Sequence, residues 1–278
     1  MKFKENSHYK QYSNQGEFFS FVHANAYTPD CYVPLLAPFF DTHSLISFKL
    51  RALWPDSTPT GVSSWMDFVA DYDAFLTQKS IHSAIGMGHS IGAVMTILAE
   101  LESPGRFKKI ILLDPVLFPF SGALGVFIFK LIIGQLRFVR KTYQRQILFD
   151  SIESVYVHYR QKKIFKFIAD DHLKLICESL FRKSGSGVEL IQSPQWEAAI
   201  YKIGGICFPY FWKHVSQVKC PILLLAGKHT NICKEKQINQ LVKKCSFFDY
   251  QVLPKSSHLL PFEEPLKAAE IIKEFLLS

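Results

Sequence analysis

A chain of 278 residues, 48% of them hydrophobic, can fold as one large α/β domain or as a core carrying an insertion. Its formal charge of +8 is unevenly placed: residues 116–215 hold 14 Lys and Arg against 7 Asp and Glu, so nearly all the excess sits in the middle third. The six scattered cysteines contain no CxxC pair and read as small core residues in a reducing compartment; the polar opening MKFKENSHYKQYSNQ has no apolar signal core, so a cytoplasmic protein is expected.

In chain order, residues 18–22 (FFSFV) predict a short buried strand that runs into a loop, His23-Ala24-Asn25-Ala26-Tyr27. A helix is expected over 32–39, with Pro34 near its first turn, and a strand over 45–50. Residues 54–59 are a proline-rich loop, and 65–76 an amphipathic helix that Ser63 or Ser64 could cap. An apolar run, 81–87, then leads into Gly88-His89-Ser90-Ile91-Gly92, and a helical pattern follows at once over 93–100. Strand, sharp turn and helix with GxSxG at the turn is the arrangement of a nucleophile elbow. The turn holds Ser90 in a strained conformation, and Gly88 and Gly92 are small because a Cβ at either would collide across it. The first N–H of the helix, on Ile91, points where a developing oxyanion would sit.

Residues 109–113 form the next strand and end at Asp114-Pro115. The strand rhythm then stops over 116–215, which reads as a helical cap, aromatic-rich and basic, inserted after the sixth strand; the core is 1–115 and 216–278. Residues 116–134 are nearly all apolar, but Pro119, three glycines and Lys130 break them, and a membrane span needs ~20 residues. A buried or interfacial cap helix is expected instead. Arg137, Arg140, Lys141 and Arg145 follow directly, and an apolar helix with a basic cluster fits a membrane-surface patch or a solvated basic face. A flexible loop is expected at 183–187 (KSGSG). The core resumes with strands over 222–226 and 247–253, a helix over 235–243, a loop carrying His258, and a closing helix over 265–277. Strands alternating with helices predict a mainly parallel sheet with helices on both faces.

The stretches HANAYTPDCYVPLL from His23, residues 51–55, GHSIGAVMTILAELESPGRFKKIILLDPVLFP from Gly88, GVELIQSPQWEA from Gly187 and SSHLLPFEEP from Ser256 together resemble the α/β-hydrolase superfamily, and most closely an uncharacterised bacterial branch of it. The resemblance covers nearly the whole chain. It implies a serine hydrolase in which His258, in the loop after the last strand, is the base for Ser90, His89 supports the elbow and His23 shapes the oxyanion loop. It also implies that Asn25 supplies the second oxyanion N–H. Two positions depart from the pattern: Ala26 stands where the relatives have Gly, and Asn231 where they carry the acid of the triad. The group that orients His258 is therefore either Asp114, at the end of the sixth strand, or Asn231.

The expected activity is cleavage of a carboxylic ester of an acyl or lipid-like substrate, for which Phe118, Phe120, Phe127, Phe129, Leu131 and Trp196 could line an apolar cleft between core and cap. Thioester hydrolysis or acyl transfer on the same triad, and a binding protein with a decayed hydrolase site, are the alternatives. No cofactor and no metal site are expected, since no His/Asp/Glu cluster has ligand spacing. The expected partners are the substrate and an anionic membrane surface or acyl carrier at the basic cap, with a peripheral membrane location following from the former; nucleic acid is not expected.

Overall fold

The computed structural model describes residues 4–119, 122–133 and 136–278. Its strands are β1 (Lys4–Glu5), β2 (Tyr9–Gln11), β3 (Glu17–Val22), β4 (His43–Phe48), β5 (Ala84–His89), β6 (Phe107–Leu113), β7 (Leu148–Phe149), β8 (Phe181–Ser184), β9 (Gly187–Leu190), β10 (Ile222–Gly227) and β11 (Phe248–Leu253). The helices are α1 (Val33–Leu36), α2 (Trp65–Gln78), α3 (Ile91–Glu102), α4 (Ala123–Ile133), α5 (Arg137–Thr142), α6 (Ile152–Arg160), α7 (Asp170–Leu180), α8 (Pro194–Ile203), α9 (Phe208–His214), α10 (Glu235–Lys244), α11 (Leu260–Glu263) and α12 (Pro265–Leu277).

Eight strands form one sheet in the order β1-β2-β4-β3-β5-β6-β10-β11. From β4 to β11 every pairing is parallel, and only β1–β2 and β2–β4 run antiparallel. Because side chains alternate across a strand, Ile110 and Leu112 of β6 enter the core under α2 and α3, while Ile111 and Leu113 enter the core under α1 and α12. Both faces are covered, which is why β5 and β10 are buried along their whole length and read as unbroken apolar runs.

The segment between β6 and β10 carries α4 to α9, and it also holds a three-stranded antiparallel sheet, β7-β9-β8, where only helices were expected. The expected flexible loop at 183–187 is the hairpin of that sheet: Ser184 pairs with Gly187, and Gly185 takes the turn at φ +57°. The expected helix over 32–39 is only one turn, α1, between 3₁₀ turns at Pro29–Tyr32 and Ala37–Phe39, since Pro34 and Pro38 lack the N–H that a longer helix needs. The apolar stretch over 116–134 forms only the 11-residue α4, and among the described residues no helix is long and apolar enough to cross a membrane.

Candidate active site

Ser90 is the single residue between β5 and α3, and it sits at φ +58°, ψ −117°. A Cβ on Gly88 would lie 2.2 Å from the Gly92 carbonyl, and one on Gly92 would lie 2.2 Å from the carbonyl oxygen of Val22. Both backbones pass too close for any other residue, so the two glycines permit the strain that projects the serine. The Ser90 N–H donates to the Leu113 carbonyl (3.0 Å), which ties the elbow to the end of β6.

Ser90 Oγ lies 3.1 Å from His258 Nε2, and His258 Nδ1 lies 2.8 Å from Asp114 Oδ1. Asp114 is fully buried at φ +39°, one residue past β6. Its carboxylate also accepts the Gly227 N–H (2.9 Å) and the Thr230 hydroxyl (2.8 Å). An ionised carboxylate only accepts, so the proton of a neutral His258 sits on Nδ1 and Nε2 is free to accept from Ser90. That is the tautomer a general base needs. Gly227 permits the approach of the histidine loop, because a Cβ there would sit 2.2 Å from the Ser257 carbonyl oxygen.

Of the two residues expected to compete for orienting His258, the structure brings only Asp114 to the imidazole. Asn231 is exposed in the loop after β10 and makes no hydrogen bond to His258 among the described residues. The Nδ1 position is already filled from β6, and the β10 loop sends Thr230 to the carboxylate instead.

Ile91 opens α3, so the helix itself offers its N–H no partner. Facing it across the elbow is the loop after β3. The Asn25 side chain is fully committed: Oδ1 accepts from Gln192 Nε2 (2.7 Å) and Nδ2 donates to the Glu197 carbonyl (3.1 Å). Among the described residues its backbone N–H has no hydrogen-bond partner. Ala26 donates its N–H to Gln192 Oε1 (3.2 Å) at φ +69°, the left-handed conformation that suits glycine best. Alanine pays about 1 kcal/mol there. The loop keeps the glycine-type shape because Gln192 and Glu197 grip it on both sides. Sequence reasoning missed both of these residues, although they lie within the cap stretch GVELIQSPQWEA that carried the resemblance.

Two further histidines brace the site. His23 Nε2 accepts the Leu50 N–H (3.0 Å) and Nδ1 donates to the Ala24 carbonyl (2.8 Å); burial pushes its pKa down to about 4, so it stays neutral. His89 is fully buried, which holds its pKa well below the ordinary value. Its Nε2–H donates to the His258 carbonyl (2.9 Å), its Nδ1 accepts from the Tyr32 hydroxyl (2.7 Å), and that hydroxyl accepts the Ala24 N–H (3.0 Å). One chain of hydrogen bonds therefore links the oxyanion loop to the His258 backbone.

The expected aromatic lining of an acyl cleft is placed differently. Phe118 packs on Phe129 and Phe208 with centroids 5.0 and 5.3 Å apart, and Trp196 donates its indole N–H to Ser57 while its ring faces Phe68. Phe118, Phe129 and Phe208 pack on one another within residues 116–215, while Trp196, and Phe208 through Trp65, reach the rest of the chain. Phe127 is exposed, Phe120 lies outside the described residues, and so does the Leu131 side chain. Ser90 is 7% exposed, and two surface cavities, of about 660 and 360 Å³, are lined by other parts of the chain.

A search of curated proteins finds no match to this sequence. Solved structures do match in fold. The chain superposes on E-2-(acetamidomethylene)succinate hydrolase with a TM-score of 0.76 at 17% identity, covering 97% of this chain and 94% of that one. A thioesterase domain from the curacin biosynthetic pathway gives 0.72 at 15%, covering 98% of each chain. An esterase from Thermogutta terrifontis gives 0.69 at 15%, covering 96% and 92%. Identities this low speak to the fold alone. The sequence model of the alpha/beta hydrolase family matches residues 21–271, which takes in the elbow, the Asp114 turn and the His258 loop, and the chain belongs to that family.

Proposed function

We propose that this hydrolase cleaves carboxylic esters through an acyl-enzyme on Ser90. The observation that carries the reading is the unbroken line from Ser90 Oγ to His258 Nε2 and from His258 Nδ1 to a buried Asp114. Ser90 attacks the ester carbonyl as His258 takes its proton, and the oxyanion is received by the N–H groups of Ile91 and Asn25. His258 passes the proton to the departing alcohol. Water then gives its proton to His258 and its oxygen to the acyl carbon, and His258 returns the proton to Ser90 Oγ as the acyl–oxygen bond breaks and the acid leaves. Asp114 stays ionised throughout, keeps the ring in the productive tautomer and offsets the charge of the imidazolium.

The test compares p-nitrophenyl esters with acyl thioesters of matched chain length. Turnover of the oxygen esters that disappears in Ser90→Ala is the expected result. Turnover of thioesters alone would move the chemistry to thioester hydrolysis on the same residues, and a folded enzyme that cleaves neither series would contradict the reading.

A further inference from the structure

Among the described residues, 18 large apolar or aromatic side chains are exposed, and eight of them crowd into residues 124–148. Four lie on α4: Leu124 is 72% exposed, Phe127 59%, Ile128 47% and Ile132 48%. At 100° per residue these positions fall on one stripe of the helix, opposite the buried Phe129 and Ile133 that anchor it to α5 and α8. The helix therefore has two apolar faces, and among the described residues only one of them is packed. Further along the chain Leu136, Tyr143, Ile147 and Leu148 are exposed as well. Monomeric surfaces rarely leave so much apolar area together without a partner.

The charges say what that partner is. No carboxylate occurs from residue 115 to 149, whereas five cations do: Lys130, Arg137, Arg140, Lys141 and Arg145. Arg137, Arg140 and Lys141 are exposed on α5, the next helix along the chain. Arg145 is not part of this surface, because its guanidinium turns inward to Glu197 (2.9 Å). A second copy of the chain meeting the same face across a two-fold axis would set cation against cation. An apolar helix face followed along the chain by exposed cations suits the boundary between acyl chains and anionic headgroups.

We propose that the outer face of α4, together with Arg137, Arg140 and Lys141, docks the protein on an anionic lipid bilayer. The docking does not depend on the reaction, and it can be read on Ser90→Ala protein as well as on the wild type, so its failure and the failure of the esterase reading are separate results.

The experiment is flotation of the full chain with vesicles of phosphatidylcholine containing 30% phosphatidylglycerol, against phosphatidylcholine alone, at low and high salt. Binding to the anionic vesicles that weakens with salt is expected. Changing Arg137, Arg140 and Lys141 together to Ser should weaken it on the order of 100-fold, given the usual contribution of a surface cation near an anionic leaflet. Leu124→Ser with Phe127→Ser should weaken it about tenfold or more without altering the thermal melt. These side chains face solvent, so the variants keep the fold, and the basic set is an independent arm. The proposal is overturned if the wild type ignores anionic vesicles, if neither set of changes matters, if the apolar set instead dissolves a dimer, or if an acidic acyl carrier protein binds where vesicles do not.

Discussion

Asp114→Asn should lower kcat on the order of 10⁴-fold, the scale of the same change in a serine protease triad, whereas Asn231→Ala should leave turnover unchanged. The carboxylate of Asp114 receives three donors, from His258, Gly227 and Thr230. An amide at this position keeps one acceptor oxygen, and the strongest arrangement leaves that oxygen with Gly227 and Thr230 and turns the NH₂ toward His258. The ring then carries its proton on Nε2, facing Ser90, and cannot act as a base. The charge that would stabilise the imidazolium is lost as well. Asn231 touches none of this. Steady-state kinetics on the two variants, with circular dichroism to show that each is folded, gives the answer. An active Asp114→Asn enzyme beside an inactive Asn231→Ala enzyme would assign the orienting role to the β10 loop.

Removing the Arg145 guanidinium should destabilise the protein by about 3 kcal/mol at pH 8 and by much less at pH 5, because it strands a buried carboxylate. Arg145 meets Glu197 through both oxygens, at 2.9 and 3.0 Å, and the Glu197 side chain is almost wholly buried. Tyr201 and Lys162 are the other polar neighbours. Burial pushes the Glu197 carboxyl up from its ordinary range and Arg145 pulls it back. A carboxyl with a raised folded-state pKa favours the fold below the unfolded value and loses that contribution as pH rises through the folded value. Without Arg145 the folded value climbs further, so the loss extends toward neutral pH. The Glu197 backbone also holds the Asn25 amide. The variant should therefore lose kcat as well as stability, because the oxyanion loop loosens. Denaturant melts of Arg145→Ala at pH 5 and 8 test this, and equal destabilisation at both would show that Glu197 is not the group left unpaired.

The α/β architecture was legible because apolar runs and the elbow are local signals. Residues 84–89 are buried on both faces, and Gly88 is required by the backbone of Gly92 and Ala93 within the same turn, although Gly92 is required by the distant backbone of Val22 at the end of β3. The hairpin Lys4–Glu5 with Tyr9–Gln11 was not legible, being short, polar and at the sheet edge. The β8–β9 hairpin was missed because the two glycines at 185 and 187 read as a loop, while the strands beside them are only four residues long.

In the site, Ser90 and His258 stood out by position, but the choice between Asp114 and Asn231 depended on the depth of one loop against another, which no local pattern carries. Gln192 and Arg145 act across 166 and 52 residues of sequence, on Ala26 and Glu197 respectively, and their partners are visible only in the folded chain. Arg145 also shows the limit of charge counting, since it belongs to a run of cations in the sequence but turns inward in the structure.

If the site works as proposed, Ser90 is an activated nucleophile. Covalent labelling with a fluorophosphonate probe tests it without knowledge of the substrate, on wild type beside Ser90→Ala and His258→Ala. One label per chain is expected, mapped to Ser90 by mass spectrometry and lost in both variants. A folded wild type that takes no label, or a label that persists in Ser90→Ala, would contradict it.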